Sequence, residues 1–321
     1  MTMEDDRWKA MRFQGPEFIP VSVGVLPRAW KKHREKLEAI AARHPLLFGH
    51  LEPGQRDYDQ MGENYREGQH VDPWGYVWAN VAEGMNGYVK HHNVPTRQAV
   101  HRLRPPQGHH GLPHGFMFMR LYYLRGFEEL MVDFAEEPPE LQKLIDIVLD
   151  YNLGELEHLI AQLGPGPRIQ AFGDDLGMQS RLPISPATWR KYLKPCYAAL
   201  YGRCHEAGWA VYMHSDGHIA EIIPDLKDCG VDVINPQVRA NGLDTLVEVC
   251  KGKICVDLDL DRQLFPFATP ARLDAHVRQA VEALGSPRGG LWLKAEIGPD
   301  VPLANVEAIC TALETYRAYF R

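Results

Sequence analysis

The sequence has little of several features that mark common protein classes. Its 6 cysteines form no CxxC pair, and its Lys and Arg residues form no basic run suited to a nucleic-acid backbone. No apolar run approaches the roughly 18 residues of a membrane span. The first residues, Met1 to Asp6, are acidic and lead into no apolar signal core. We therefore expect a cytoplasmic protein with reduced, buried cysteines and neither nucleic-acid nor membrane partners.

Motifs of several enzyme classes are also absent. No GxGxxG turn marks a dinucleotide-binding sheet, and there is no GxSxG, HExxH, Walker or kinase motif. Asp257, Asp259 and Asp261 resemble the start of a calcium loop. Arg262 stands where that loop needs Gly and Ala268 where it needs Glu, so a calcium loop is excluded.

What is present is typical of a globular protein. Of 321 residues, 45% are hydrophobic and 24% are charged, enough to build a sizeable core, and the net charge is -7. No internal repeat or low-complexity linker divides the chain. We therefore predict a single domain over residues 1–321.

The second half of the chain alternates strand and helix signals. Ser185 with Pro186, and Thr269 with Pro270, are typical of helix starts. A stripe of apolar residues at helical spacing follows Ser185, from Trp189 to Leu200. Predicted strands run over Arg168 to Gly173, Ala210 to Met213, Val231 to Ile234, Lys253 to Val256 and Leu291 to Ala295. Repeated strand–helix units indicate a parallel sheet.

The first half is less regular. We predict helices over Trp30 to Arg43 and Pro139 to Leu163, and a hairpin or irregular insertion around Val71 to Val89. Five βα units, with room for three more, favour a (β/α)8 TIM barrel with an irregular N-terminal region over an open doubly wound sheet.

Polar side chains follow each predicted strand of the second half. They are Asp174 and Asp175, His214 and Asp216, Asn235 and Gln237, Asp257 and Asp261, and Glu296. In a barrel these positions converge on one rim, where barrel enzymes carry their catalytic groups. His214 and Asp216 are two residues apart on strand-like backbone, so they point to the same side and could bind one metal ion or share a proton. The alternative is that such Asp residues cap the following helices.

Two further groups have open roles. His101, His109, His110 and His114 lie in a Pro-rich loop that could bind metal, although a surface or lid role is the commoner one for such loops. Trp74, Trp78, Tyr122 and Tyr123 are either core residues or a platform for substrate.

As an ordered set, several segments resemble uroporphyrinogen decarboxylase-like proteins. Those from the middle and end of the chain are residues 172–177, 184–195, 213–219, 222–226, 230–237, 261–263 and 299–306, and residues 72–75 and 124–128 agree more loosely. The resemblance implies a barrel fold and one of two activities. One is decarboxylation of a tetrapyrrole without a cofactor, and the other is methyl transfer with a corrinoid protein.

The resemblance also implies site residues. The decarboxylases carry an N-terminal Arg-rich segment, and residues 21–32 lack that pattern, so methyl transfer is favoured. Thiol-using methyltransferases of the superfamily carry His-x-Cys and a later Cys. Here His214 matches the His, Asp216 stands at the first Cys, and Glu296 lies near the second. This His/Asp/Glu set is expected to hold zinc or another divalent ion.

The leading hypothesis is a methyltransferase that moves a methyl group from a small methoxylated or methylated substrate to a corrinoid on a partner protein. Asp216 would orient His214, which protonates the departing oxygen or nitrogen, while Asp174 and Asp175 position substrate or metal. Expected substrate contacts are Trp74, Asn235, Gln237, Asp257 and Asp261. A carboxy-lyase and a tetrapyrrole-binding barrel without turnover remain alternatives.

Overall fold

The computed structural model describes residues 2–52, 54–62 and 65–321. The chain forms two compact units. Unit 1 comprises Met1–Glu67, Asn80–Asn86 and Asn235–Arg321, and unit 2 comprises Gly68–Ala79 and Gly87–Ile234. No helix in the described ranges is both long and apolar enough to cross a membrane.

Helices and strands alternate from residue 168 onward. The strands are β1 (Val21–Val25), β2 (Gly68–Val71), β3 (Val77–Asn80), β4 (Tyr88–His91), β5 (Arg168–Gly173), β6 (Trp209–Ser215), β7 (Val233–Pro236), β8 (Cys255–Asp259) and β9 (Leu291–Ile297). The helices are α1 (Met3–Met11), α2 (Pro27–Arg43), α3 (Pro45–Phe48), α4 (Phe118–Arg125), α5 (Phe127–Glu136), α6 (Pro139–Leu163), α7 (Pro186–Tyr192), α8 (Lys194–Glu206), α9 (Ile223–Asp228), α10 (Val238–Asn241), α11 (Leu243–Cys250), α12 (Pro270–Leu284) and α13 (Leu303–Tyr316). Short 3-10 turns occupy Arg97–Arg102 and Ala220–Ile222.

The main sheet has six strands in the order β1-β9-β8-β7-β6-β5, so the fold is mixed α/β. In unit 1, β9 pairs in parallel with both β1 and β8. In unit 2, β5 pairs in parallel with β6. The α/β class is confirmed. The main sheet has six of the eight predicted barrel strands in the described residues, and closure into a (β/α)8 barrel stays a prediction. The aromatic segment of the first half instead forms the separate sheet β2-β3-β4, in which β3 and β4 are antiparallel. The connections among these three strands are too short for the crossover that parallel neighbours require.

The helix starts in the second half are confirmed. The side chains of Ser185 and Thr269 accept hydrogen bonds from the backbone N–H groups three residues on, as N-cap residues do. Helix α6 has the predicted bounds. The stripe from Trp189 to Leu200 is divided into α7 and α8, because Pro195 has no N–H to continue the helix from the preceding turn.

All six cysteines are buried thiols outside any disulfide, as predicted. Burial disfavours the charged thiolate and raises the pKa of Cys196 to about 12. These thiols therefore act as small apolar core residues rather than as metal ligands.

Candidate functional site

The ends of β5 and β6 bring polar side chains together in unit 2. The two strands are parallel neighbours, with Gly173 in register with His214. The Asp174 N–H extends this pairing by donating to the His214 carbonyl at 3.0 Å. Asp175 and Asp216 follow at the same edge, and the Asp216 N–H donates to Asp175 Oδ1 at 2.9 Å. Of the predicted strand-end residues, unit 2 therefore groups the four from β5 and β6.

A histidine from the Pro-rich loop joins this group. His114 Nε2 lies 3.2 Å from Asp175 Oδ2, and His214 Nε2 lies 4.0 Å from Asp175 Oδ1. The ligand atoms of these three residues all lie within 4.8 Å of one another. Asp216 adjoins them, with Oδ1 3.3 Å from His214 Nε2. Two imidazoles and one carboxylate are a donor set of catalytic zinc sites that leave a position open.

Gly173 makes room for this histidine. A Cβ at Gly173 would lie 2.4 Å from His114 Nδ1, closer than van der Waals contact allows. The Gly115 N–H donates to the Gly173 carbonyl at 2.7 Å, so the loop lies directly against the end of β5. The absent side chain is therefore a condition for placing His114 beside Asp175.

A buried carboxylate anchors the same loop. Glu155 on α6 accepts hydrogen bonds from the N–H groups of His110, at 2.8 Å, and Gly111. It also contacts His109 Nδ1 at 3.0 Å. These contacts hold the loop just before His114, while its four histidines are exposed, so a surface or lid role for the loop stays a prediction.

Asp174 faces the interior rather than the group around Asp175. It is completely buried and accepts hydrogen bonds from the N–H groups of Met117 (3.2 Å), Phe118 (2.6 Å) and Met119 (2.9 Å), at the start of α4. Tyr197 Oη donates to it at 2.7 Å. Burial raises the pKa of Asp174, while these donors oppose the rise. Negative charge at a helix N-terminus is stabilising, so Asp174 ties α4 to the end of β5.

Two glycines allow the loops after β5 and β6 to touch. A Cβ at Gly217, where φ is 81°, would lie 2.3 Å from the Gly177 carbonyl carbon. A Cβ at Gly177 would lie 2.4 Å from the His218 nitrogen, whose N–H donates to the Met178 carbonyl at 2.7 Å. This contact between backbones fixes the spacing of the loops that carry Asp175 and Asp216.

The charge of His114 depends on its acidic neighbours. Burial alone would lower the pKa of His114, but its hydrogen bond to Asp175 and the charge of that carboxylate act in the opposite direction. Asp174 and Asp216 add further negative charge. The net effect raises the pKa of His114 above the usual histidine value, so this ring holds a proton more tightly than a solvated histidine.

Aromatic residues lie close by in unit 2. Gly115 adjoins Tyr123, since a Cβ on this glycine would lie 3.3 Å from Tyr123 Oη. The Tyr123 ring packs against Trp78, with centroids 4.9 Å apart, and against Tyr122 at 4.8 Å. Trp74, a predicted substrate contact, is buried against Tyr151 at 4.9 Å.

Residues 116–316 of the 321-residue chain match the family model described as uroporphyrinogen decarboxylase (URO-D). The chain belongs to the uroporphyrinogen decarboxylase family. The resemblance seen in the sequence is thereby confirmed. The match begins two residues after His114, so the family pattern carries no signal for this histidine. The signals that remained were the glycine at the end of β5 and the His-rich composition of the loop.

Solved structures extend the comparison for this URO-D family chain. A methyltransferase from Methanosarcina mazei superposes with a TM-score of 0.65 at 16% sequence identity, covering 98% of this chain and 99% of that one. At this identity the likeness shows a shared fold. A dihydropteroate synthase from Xanthomonas albilineans gives a TM-score of only 0.32 at 14% identity, over 47% of this chain and 54% of that one. No curated protein sequence matches the chain.

The remaining predicted residues of the URO-D family chain lie in unit 1. Asn235 Nδ2 donates to the Asp257 carbonyl at 2.6 Å, and Lys294 Nζ lies 3.4 Å from Asn235 Oδ1. Gln237 forms a parallel bridge with Asp259.

The other two predicted site residues of unit 1, Asp261 and Glu296, are in ion pairs. Asp261 pairs with Arg239 at 2.9 Å. Glu296 pairs with Arg262, which also contacts Asp259 at 2.8 Å. A carboxylate paired with a guanidinium is a poorer metal ligand than a free one, because the cation competes for the same oxygen atoms.

Proposed function

We propose that this URO-D family member is a methyltransferase that demethylates a small methoxylated or methylated compound and passes the methyl group to a corrinoid on a partner protein. The observation that carries the proposal is the group of His114, Asp175 and His214 at the ends of β5 and β6. Family membership and the fold shared with a methyltransferase are consistent with it. The strand-end placement is where enzymes with parallel βα units carry their chemistry.

The donor set fits zinc or a similar divalent ion. Two ligand atoms on a tetrahedral zinc lie roughly 3.3 Å apart. Each histidine nitrogen faces a different oxygen of Asp175, His114 at 3.2 Å from Oδ2 and His214 at 4.0 Å from Oδ1, and one ligand atom from each residue lies within 4.8 Å of the others. When bound, the ion would act as a Lewis acid on the oxygen or nitrogen that the methyl group leaves. We therefore propose His114, Asp175 and His214 as ligands, in place of the set His214, Asp216 and Glu296.

The chain's own residues divide the remaining tasks. Asp175 lies between the two histidines and holds their ring nitrogens toward one point. Asp216 Oδ1 lies 3.3 Å from His214 Nε2, the nitrogen offered to the ion, so this carboxylate can orient the ring and accept the proton that Nε2 releases on binding. A poor leaving group such as an alkoxide would be stabilised by the ion as a Lewis acid. Asp174, whose oxygens are occupied by helix and tyrosine donors, positions the segment and takes no part in proton transfer.

For the residues of unit 1, the proposed roles are in binding. Asn235 and Asp257 lie within β7 and β8, and Gln237 and Asp261 lie just after these strands, where ligands of α/β folds bind. Their role as substrate contacts stays a prediction. Glu296 is paired with Arg262, so we assign it to the ion pair and not to the metal.

The experiment measures metal content and demethylation together. Elemental analysis of the purified protein should give about one equivalent of divalent metal, lost in His114→Ala and His214→Ala. Glu296→Gln is the matched control, because it removes a strand-end carboxylate that is paired with an arginine. Metal lost in Glu296→Gln but kept in His114→Ala would overturn the assigned ligand set.

Methyl transfer itself is tested with cob(I)alamin and a panel of methoxylated and methylated compounds under anaerobic conditions. Formation of methylcobalamin, followed by absorbance, is the expected result, and His214→Ala should abolish it. Release of carbon dioxide from candidate acids without methyl transfer would instead identify a carboxy-lyase. Neither product from any member of the panel, with metal bound, would refute the proposal.

A further inference from the structure

A tight turn in unit 2 surrounds one buried arginine. In this turn the Asp72 N–H donates to the Tyr76 carbonyl at 2.9 Å, and the Gly75 N–H donates to the Asp72 carbonyl at 2.7 Å. Gly75 has φ of 91°, a value that favours glycine. The turn directs the side chains of Asp72, Trp74 and Tyr76 around Arg120 of α4. The Asp-Pro-Trp-Gly segment noted in the sequence thus builds the surroundings of this guanidinium.

Arg120 is partly satisfied by these neighbours. Only 6% of the residue is exposed. Its Nη1 contacts Asp72 Oδ1 at 3.2 Å and donates to Tyr76 Oη, and the guanidinium lies 5.6 Å from the Trp74 ring centre. In the described chain its Nε is buried without a hydrogen-bond partner. A buried N–H without a partner is destabilising, so a hydrogen-bond acceptor from outside the chain would be stabilised at this position.

Asp72 pairs with only one nitrogen of the Arg120 guanidinium. Its Oδ1 also accepts from the Trp74 N–H at 2.8 Å, so the carboxylate is shared with its own turn. Both polar contacts of Arg120 involve Nη1. The side of the guanidinium that carries Nε is the edge left for a planar, two-oxygen acceptor.

Arg120 and the proposed metal ligands share neighbouring residues in unit 2. Tyr76, against Arg120, packs on Tyr123 with ring centroids 5.6 Å apart, and Tyr123 adjoins Gly115, the neighbour of His114. Met119, next to Arg120, accepts a contact from the Asp175 N–H at 3.2 Å through its sulfur. Burial raises the pKa of Tyr123, Asp175 adds to the rise, and Arg120 opposes it. One tyrosine ring thus lies within the electrostatic reach of both Arg120 and Asp175.

We propose that the Nε edge of Arg120 binds a carboxylate of the substrate, so that the enzyme acts on methylated carboxylic acids. This inference rests on the proposed function. Arg120 fixes the acid end of the molecule, the rings of Trp74 and Tyr76 shield the ion pair from water, and the methyl group is directed to the side of His114 and Asp175. A charged hydrogen bond in such surroundings is stronger than one in water.

The experiment compares acids with their amides, which match in shape and lack the charge. The probes are methoxyacetate with methoxyacetamide and 4-methoxybenzoate with 4-methoxybenzamide, titrated calorimetrically into the metal-loaded protein. In at least one pair the acid should bind roughly tenfold or more tightly than the amide. Arg120→Lys keeps the charge and removes the planar edge, so the preference should fall to near unity. Equal binding within both pairs by the wild-type protein would overturn the proposal.

A second variant guards against misfolding of the arginine variant. Asp72→Asn keeps the hydrogen bond with the Trp74 N–H and removes the carboxylate that competes for Arg120. It should tighten acid binding several-fold and leave amide binding unchanged, and weaker acid binding would contradict the proposal. Acid preference without any methyl transfer would refute the proposed function alone. Equal turnover of acids and amides would refute the role of Arg120 alone.

Discussion

Substitution of Asp174 tests whether this carboxylate holds α4 in place or takes part in the reaction. Its carboxylate accepts three N–H groups from the start of α4 and one hydroxyl from Tyr197. In Asp174→Asn only one of the two terminal atoms is still an oxygen that can accept hydrogen bonds. The NH2 group that replaces the other oxygen faces at least one N–H donor, which is left without an acceptor. An unsatisfied buried donor costs about 1–3 kcal/mol, and the bonds that remain lose their charge assistance. Removing a buried charge offsets part of this loss, which leaves an expected destabilisation of about 2–4 kcal/mol.

Urea unfolding followed by circular dichroism and tryptophan fluorescence measures this loss. With a slope of about 3 kcal/mol per molar urea, the midpoint should fall by about 1 M. Tyr197→Phe removes one of the four donors and should lower the midpoint by a smaller amount. Asp150→Asn, an exposed change on α6, is the matched control and should stay within about 0.5 kcal/mol of the wild type.

The positioning role would be refuted if Asp174→Asn unfolded at the same urea concentration as the Asp150→Asn control. If methyl transfer were then lost as well, Asp174 would belong to the chemistry. If stability fell and metal content stayed near one equivalent, the assignment of the ligands to neighbouring residues would be supported.

Three further predictions concern the same unit. Glu155→Gln should weaken divalent-ion binding roughly tenfold, because residues that hold the segments carrying metal ligands also orient those ligands. Competition with a chelator measures the affinity, and an unchanged affinity would show that the loop before His114 needs no anchor. Because the pKa of His114 is raised, the ion must displace a proton from this ring, so metal affinity should fall as pH falls through that pKa. Calorimetry in different buffers detects the released proton, and a pH-independent affinity would exclude His114 as a ligand. Gly217→Ala should destabilise the protein by more than about 1 kcal/mol, because this residue has a positive φ and its Cβ would meet the backbone of Gly177. Gly154→Ala, in α6 with nothing near its Cβ, should be neutral or stabilising, and equal midpoints of thermal unfolding for the two variants would contradict the close contact.

The sequence predicted the parallel βα part of the fold well. Apolar runs bounded by turn residues located β5 to β9, and helix caps located the starts of α7 and α12, because those signals are local. The number of strands was less predictable. Alternating aromatic residues near Trp78 indicate a strand but not its partner, and pairing decides between a barrel strand and the small sheet β2-β3-β4.

The candidate site was only partly predictable for the same reason. Asp175 and His214 follow adjacent strands, so parallel pairing alone brings them together. His114 comes from a loop whose path depends on the buried Glu155 and on the missing side chain of Gly173. Neither contact leaves a periodic pattern in the sequence. The orientation of Asp174 toward α4 could not be predicted either. The sequence does not show which of two adjacent acidic residues points into the core, because the backbone conformation after β5 decides it.

Because Asp174 and Asp175 point in opposite directions, insertions and deletions in the chain next to them are restricted. Adjacent residues after a strand alternate between the two faces of the sheet, so inserting or deleting one residue before them would exchange their places. The carboxylate that secures α4 would then be turned outward, and the one beside the histidines would be buried. Variation in length is therefore expected in the exposed loop ahead of Glu155's contacts, near residue 107, and not between Gly173 and Leu176. Among relatives, a gap at the latter place would mark a protein that has lost either the helix anchor or the chemistry.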